Sequence, residues 1–241
     1  MSTEKKIVSF SVWGNKPMYL RGAISNYVMY SRMLPDWTCR FYLSSDLSMY
    51  SFGRELIDRG AEVRLGNPAG DSTRVGLYWR LDALLDTSVD IAIFRDTDSR
   101  PSNREISAVK AWECSGAPLH VMRDHRAHTA PIMGGMWGCR PAKLKKLVSG
   151  LRKSLNLRMD HALNAPDSAG KSKHGRIPFS DQDWLADVIW PRVREKALVH
   201  VGSPGYKRDE PEAVPFIEPP QSPKHFVGQA YTVQGVPVWP V

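Results

Sequence analysis

The chain has 241 residues, 42% hydrophobic and 24% charged, and a formal net charge of +8. Those proportions are those of folded proteins and argue against global disorder, while the length suits one large domain or two small ones sharing a core. No stretch approaches the roughly 18 to 20 uninterrupted apolar residues of a membrane span, and Met1 to Lys6 runs straight into a strand-like segment instead of a signal peptide, so a cytoplasmic protein is expected.

Ile7 to Val12 is a β-branched and aromatic run ending at Gly14-Asn15, the pattern of a buried strand and its turn. Ala23, Ile24, Tyr27, Tyr30 and Met33 recur at helical spacing, which predicts a helix from Tyr19 that stops before Pro35. A strand over Cys39 to Leu43, a helix over Leu47 to Arg59 ended by Gly60, and a short strand over Ala61 to Leu65 follow. A third helix is predicted over Val75 to Leu85, then a fourth strand from Val89 to Phe94 that ends at Arg95-Asp96-Thr97-Asp98. Strands alternating with helices of this length predict an α/β fold, a central mostly parallel sheet flanked by helices. Ligands of such sheets bind just past the carboxyl ends of the strands.

Further along, Ser102 to Glu105 has the form of a capping box opening a helix to about Cys114, and Leu119 to Met122 of a strand. Ile132 to Cys139 is expected to be a strand, with Gly134-Gly135 allowing close approach of the backbone to another group. Pro141 starts a basic amphipathic helix that carries Leu144, Leu147, Val148, Leu151 and Leu155 inward, followed by a polar loop from Asn156 to Pro178. Ser180 is expected to cap a last helix stopped by Pro191. The tail from Gly202 holds eight of the 18 prolines and is expected to wrap the core irregularly. One domain over residues 1–241 is therefore expected, with a first half (5–100), a second half (101–201) and the tail (202–241). Cys39, Cys114 and Cys139 are odd in number and widely separated, against both a disulfide framework and a zinc site.

The charge is concentrated. Between Arg140 and Arg176, ten Lys/Arg stand against Asp160 and Asp167, so this segment alone accounts for the net +8. Such a surface suits an anionic membrane, a polyanion or a phosphorylated small molecule, with a solvated helix face as the plain alternative.

Asp96 and Asp98 carry the sharpest chemical signal. Alternation in an extended chain puts two such carboxylates on one side, about 6 to 7 Å apart. Hard oxygen donors so placed can hold Mg²⁺ or Mn²⁺ with positions left open for phosphate oxygens. A solvated turn is the competing reading. Arg80 interrupts an apolar helical stretch one element earlier, where a guanidinium can grip a phosphate or a sugar hydroxyl or lie on the surface. Asp181 and Asp183 occupy the first turn of a helix, which stabilises carboxylates whatever their function.

Together these blocks resemble the GT-A glycosyltransferases, in which an Asp-x-Asp follows a central strand of a Rossmann-like nucleotide-binding half. The similarity covers Phe94 to Arg100 with Arg104-Glu105, His120 to His125, Pro131 to Gly138 and Asp181 to Asp183, and is nearest to small bacterial and viral members such as the chlorella virus capsid glycosyltransferases. The resemblance implies that Asp98 binds the metal and that Asp96 contacts the metal or the donor ribose. It places the nucleotide at the ends of the first two strands, at Ser11, Trp13 and Asp46, with Trp13 covering the base or simply packing in the core. It implies a third metal ligand, His225, from His225-Phe226-Val227-Gly228, with His200 as rival. Asp124, His125, Gly134, Gly135 and Trp137 would meet the sugar or acceptor, against a reading of Trp137 as core. Asp181, ahead of Asp183, would act as general base in an inverting transfer or steady an oxocarbenium-like transition state in a retaining one.

The activity so implied moves a hexose or deoxyhexose from a nucleotide-sugar donor, UDP-linked ahead of GDP-linked, to a hydroxyl of a glycan or lipid-linked acceptor, with Mn²⁺ or Mg²⁺ as cofactor. No nucleic-acid partner is expected, and segment 140–176 would touch an anionic membrane peripherally. Two other classes stay open: a metal-dependent phosphoesterase or nuclease, and a non-enzymatic basic module docking on a membrane surface.

Overall fold

A computed structural model describes residues 4–66, 73–165, 179–222 and 224–238. Within them, eight strands form one mixed sheet in the order β3-β2-β1-β4-β6-β5-β7-β8. The strands are β1 (Lys6–Val12), β2 (Thr38–Leu43), β3 (Glu62–Leu65), β4 (Ile91–Arg95), β5 (Leu119–Arg123), β6 (Trp137–Cys139), β7 (Ala197–Val201) and β8 (Val214–Pro215). Every pairing is parallel except those of β6, which runs antiparallel to both β4 and β5. The order runs one way from β1 to β3 and the other way from β1 to β4, so the switch point of the sheet lies between β1 and β4.

Alternation along the strands splits the core into two layers. Val8, Phe10, Val12, Ile91 and Ile93 face helices α1 (Pro17–Met33), α2 (Tyr50–Asp58) and α4 (Asn103–Ser115). Ile7, Ala92, Phe94, Leu119, Val121 and Trp137 face α3 (Thr73–Trp79), α5 (Pro141–Leu147), α6 (Leu151–Asn164), α7 (Asp181–Trp184) and α8 (Trp190–Val193). Ser9 and Ser11 share the second face, and there the Ser9 hydroxyl donates to the Arg80 carbonyl while the Arg80 amide donates to Ser11 Oγ, each at 2.8 Å. Pinned to β1 in this way, the predicted 75–85 helix tightens into a 3₁₀ turn over Arg80–Leu84.

Several expectations change. The helix predicted from Pro141 to Leu155 is two helices, because Gly150 takes φ +66 between them. α6 then continues to Asn164, so the first part of the expected 156–178 loop is helical, and residues 166–178 lie outside the described residues. The strand expected over 132–139 shortens to Trp137–Cys139, preceded by a turn closed by the Met136 amide on the Met133 carbonyl. Pro191 does not stop its helix. A wide π turn over Leu185–Ile189 absorbs the missing amide, and the chain resumes as α8. Among the described residues the Ser180 hydroxyl caps nothing and, buried, has no hydrogen-bond partner. Ser102 does cap α4, accepting from the Glu105 amide, but the Glu105 side chain does not reach back. It accepts from Arg95 Nε and from the Tyr30 hydroxyl, each at 2.6 Å, which locks β4 to α1 and α4. Among the described residues no helix is long and apolar enough to cross a membrane.

Candidate active site at the end of β4

The site is built where β4 ends at the switch point of the sheet. Asp96, Thr97 and Asp98 form a turn, not an extended run, with the Ser99 amide and hydroxyl both donating to the Asp96 carbonyl. The alternation argument for two carboxylates on one side therefore does not describe the local backbone; the turn itself sets their relation. α1 holds this turn from behind. Asn26 Nδ2 and Arg100 Nη1 donate to the Thr97 carbonyl at 3.1 and 2.9 Å, and a Cβ on Gly22 would overlap that same carbonyl oxygen. Sequence reasoning missed these three anchors. A glycine and an asparagine on the buried face of an otherwise ordinary helix were the available signal, since neither is a core-filling helix former.

The two carboxylates feel each other. Burial first, and the charge of Asp96 second, push the Asp98 carboxyl up to about 6; burial, then the charges of Asp98 and Asp96, raise the half-buried Tyr19 hydroxyl. Asp96 lies in turn against Arg80, which is 3% exposed. The guanidinium donates through Nη1 to Asp96 Oδ1 at 2.5 Å and to the Arg95 carbonyl at 3.0 Å, and through Nη2 to Asp181 Oδ2 at 2.7 Å. Arg80 is thus neither a surface residue nor a side chain reaching toward solvent. It joins the acid at the end of β4 to the acid at the start of α7. Its Nε is buried and has no partner among the described residues.

Asp181 is 1% exposed, and its carboxyl is raised, first by burial, with Arg80 opposing and Asp96 adding to the rise. Phe179, two residues earlier, holds a left-handed φ of +60, and the Tyr78 hydroxyl donates to its carbonyl at 2.8 Å. A bulky residue held at such an angle is uncommon and marks a chain shaped by its surroundings. Asp183 is half-buried, two positions along the same first turn, and residues so spaced do not share a helix face.

Gly134 and Gly135 come close not to open space but to these acids. A Cβ on Gly134 would stand 2.7 Å from Asp181 Oδ2 and 2.8 Å from Arg80 Nη2, and one on Gly135 would overlap Asp96 Oδ2. Trp137 is 0% exposed, stacks on Phe94 at 4.1 Å and donates to the Gly134 carbonyl. Its indole is core and offers no face to a sugar.

The remaining candidates lie as follows. Ser11 holds Arg80, as above. Trp13 is half-buried, set edge-on to Trp79 and packed over Gly76. Asp46 is exposed after β2 and accepts from the Ser48 amide. Asp124 is a structural tie: Arg104 grips both its oxygens at 2.8 and 2.9 Å, and the Val227 amide donates to Oδ2. His125 stacks on Phe226 at 4.3 Å, and burial lowers it. His225 lies 2.6 Å from the Ser222 hydroxyl. His200 is buried against His120, with 2.9 Å between ring nitrogens, which places it in the core. Among the described residues no three His, Cys, Asp or Glu converge as a ready metal cluster, so the structure does not bring His225 together with Asp96 and Asp98. The tail nevertheless meets the acidic turn through its backbone, by the Tyr231 amide on the Asp98 carbonyl and a bridge between Ser99 and Ala230.

As a donor set, Asp96 and Asp98 suit a hard divalent cation: two groups of oxygen ligands, one of which burial and then its neighbour's charge hold from ionising, with the Arg80 charge opposing that rise.

No protein-family model and no curated protein sequence matches the chain. Among solved structures it is similar to a glycosyltransferase involved in the glycosylation of the major capsid of PBCV-1, at 12% identity over 83% of this chain and 82% of that one, with a TM-score of 0.48. It is also similar to the mannosyltransferase PcManGT from Pyrobaculum calidifontis in complex with GDP-Man and Mn²⁺, at 12% identity and a TM-score of 0.46 over 66% of this chain and 52% of that one. A third is 4-diphosphocytidyl-2C-methyl-D-erythritol synthase from Anaerococcus prevotii, at 10% identity, 87% and 94% coverage and a TM-score of 0.47. At these values the likeness is one of chain path.

Proposed function

We propose that this chain is a metal-assisted glycosyltransferase, moving a hexose or deoxyhexose from a nucleoside-diphosphate sugar, UDP-linked ahead of GDP-linked, to a hydroxyl of a glycan or lipid-linked acceptor. The observation that carries the reading is the pair Asp96 and Asp98 at the switch point of the sheet, mutually repelling, backed by Arg80 and closed over by Gly135. These two acids would hold Mn²⁺ or Mg²⁺, which supplies charge neutralisation to a departing diphosphate. Trp13 and Asp46, at the ends of β1 and β2, are where the nucleotide is proposed to lie. The half-buried Tyr19 borders the same acids.

Of the two acids of α7, Asp181 belongs to the charge network and Asp183 does not share its face. Held by Arg80 with its side chain 2% exposed, Asp181 suits support of a cationic sugar through space and the positioning of Arg80 better than removal of an acceptor proton. That task falls to the more accessible Asp183. Two-metal hydrolysis of phosphodiesters demands a larger set of converging ligands than the described residues bring together here.

The test is a thermal-shift screen of UDP, GDP, CMP and dTDP, each with and without Mn²⁺. One nucleotide is expected to stabilise the protein only with the metal, by about 2.7 kcal/mol when held near 100 times its dissociation constant. Asp98→Asn should abolish that shift while keeping the fold. A protein that ignores all four nucleotides, or binds one equally well without metal, would overturn the reading.

A further inference from the structure

We infer that the groove beside the α5–α6 hairpin is a docking surface for the anionic face of a lipid bilayer. Leu85 and Thr87, which border it, precede β4, whereas Asp96 follows β4. The groove therefore lies at the opposite end of the sheet from the acidic site, and the inference is independent of the activity proposed above.

The cavity measures about 890 Å³. Its floor includes Val148 and Leu151, buried where the chain turns through Gly150, and Leu157 borders it at 54% exposure. Lys145, Arg152 and Lys153 stand around this apolar floor, with Asp160 as the one acid on the lining. Three further cations among the described residues of the segment are already engaged: Arg140 with Glu4, Lys143 with the Gly116 carbonyl, and Arg158 with Asp187 at 2.6 Å. Lys145, Lys146, Arg152 and Lys153, by contrast, form no ion pair among the described residues. Arg152 pulls down the Asp82 carboxyl, which burial raises.

Charge complementarity selects the occupant. Three cations of the groove against one acid, with Lys146 beside them on α5, call for a surface dense in negative charge. α6 also exposes Leu157 and Leu163, at 54% and 44%, which a purely ionic partner would leave in water. The headgroup level of an anionic bilayer satisfies both, with the ammonium and guanidinium groups among the headgroups and the leucines at the acyl boundary. Attraction of this kind falls off within a Debye length and is weakened by salt.

The experiment is cosedimentation of the full chain with vesicles of phosphatidylcholine alone and of phosphatidylcholine mixed with phosphatidylglycerol. Binding is expected to the mixed vesicles only and to weaken with added salt. Each cation removed singly, as in Lys153→Gln, should lower the partition constant about fivefold, and the triple reversal K145E/R152E/K153E should abolish binding. Leu157→Ala should weaken it with no change in charge. Arg54→Glu on α2 and Arg59→Glu just past its C-terminal end serve as charge controls and should change little. The unfolding midpoint of each variant separates lost binding from lost folding, and the single substitutions keep the test decisive if the triple variant does not fold. Absence of binding to the mixed vesicles, or undiminished binding by folded charge variants, overturns the inference. So does an unaffected Leu157→Ala together with equal competition by polyglutamate, which would reassign the groove to a soluble acidic partner.

Discussion

Replacing Arg80 with methionine tests the network that organises the site. The arm to Asp96 ends on a side chain that is 48% exposed, and solvent screening limits such a contact to about 0–1 kcal/mol. The arm to Asp181 is different, joining side chains that are 4% and 2% exposed at 2.7 Å. Without Arg80 the Asp181 carboxylate is buried and uncompensated, a change of about 3–5 kcal/mol while the charge persists. For a chain of this size about 1 kcal/mol moves the unfolding midpoint by roughly 2–4 °C, so a fall of roughly 6 to 20 °C is expected near neutral pH. The pH dependence gives the sign. Burial already holds the Asp181 carboxyl above its ordinary 3.8 and Arg80 opposes that rise, so removing Arg80 raises it further. A carboxyl raised by folding contributes stability that is fully present below its unfolded value and lost as pH rises through the folded one. The deficit of Arg80→Met should therefore be small at acid pH and widen toward alkaline pH. Thermal unfolding of Arg80→Met, Asp181→Leu and the double variant across pH measures this. The double variant replaces the pair by apolar side chains and should recover most of the loss. Strictly additive losses, or a deficit that does not change with pH, would refute the reasoning.

Asp98→Asn should remove Mn²⁺ binding, and in the unaltered protein Mn²⁺ affinity should fall about tenfold per pH unit below the value of about 6 to which burial and Asp96 raise this carboxyl, as calorimetry can measure. Since that raised group loses its stabilising contribution as pH rises through about 6, the metal-free Asp98→Asn protein should gain stability relative to the parent at pH 8 and not at pH 4. Gly135→Ala forces Asp96 Oδ2 aside and should weaken metal-dependent nucleotide binding by roughly hundredfold, while Gly205→Ala, whose new Cβ has its nearest neighbour at 3.9 Å, should leave it unchanged. His200 is lowered from 6.5 to about 4 by burial and then by Arg104, so the stability it supports is present above pH 6.5 and lost as pH falls through about 4. Unfolding midpoints should drop across that window, and the drop should shrink in the His120→Phe/His200→Leu variant.

The half of the fold that was legible in the sequence is the half where one period governs each element. Ile7 to Val12 alternate between two layers, the spacing of α1 needs no tertiary help, and Gly60 ends its helix with φ +101. Illegible elements answer to distant partners. The 3₁₀ turn at Arg80 goes with the hold of Ser9 and Ser11 on its peptide, and the π turn before Pro191 with a proline that has no amide to donate. β7 was not foreseen, since Ala197 to Val201 is a short apolar run whose strand character depends on pairing with β5. The same division runs through the site. Asp96 and Asp98 stand out as acids at a strand end, whereas the work of Asn26 and Gly22 is done across 70 or more residues of sequence on one carbonyl, and Asp124 and Trp137 look like binding residues until their partners, Arg104 and Phe94, are seen.

The reversed strand β6 is what sets Gly134 and Gly135 against these acids. Because β6 runs antiparallel to β4, with Trp137 opposite Phe94 and Cys139 opposite Ala92, its leading end lies beside the trailing end of β4. The residues that enter β6, Gly134 and Gly135, are thereby delivered onto Asp181 and Asp96. A parallel strand in the same place would bring them to the far end of the sheet, and the acids would relax into water, where repulsion between them is screened. Glycine fits that approach, and among the described residues Arg80, anchored by its own peptide to β1, lies between Asp96 and Asp181 with a nitrogen for each. Strand direction, glycine and guanidinium together bring these acids to one end of the sheet, where the proposed function puts a cation.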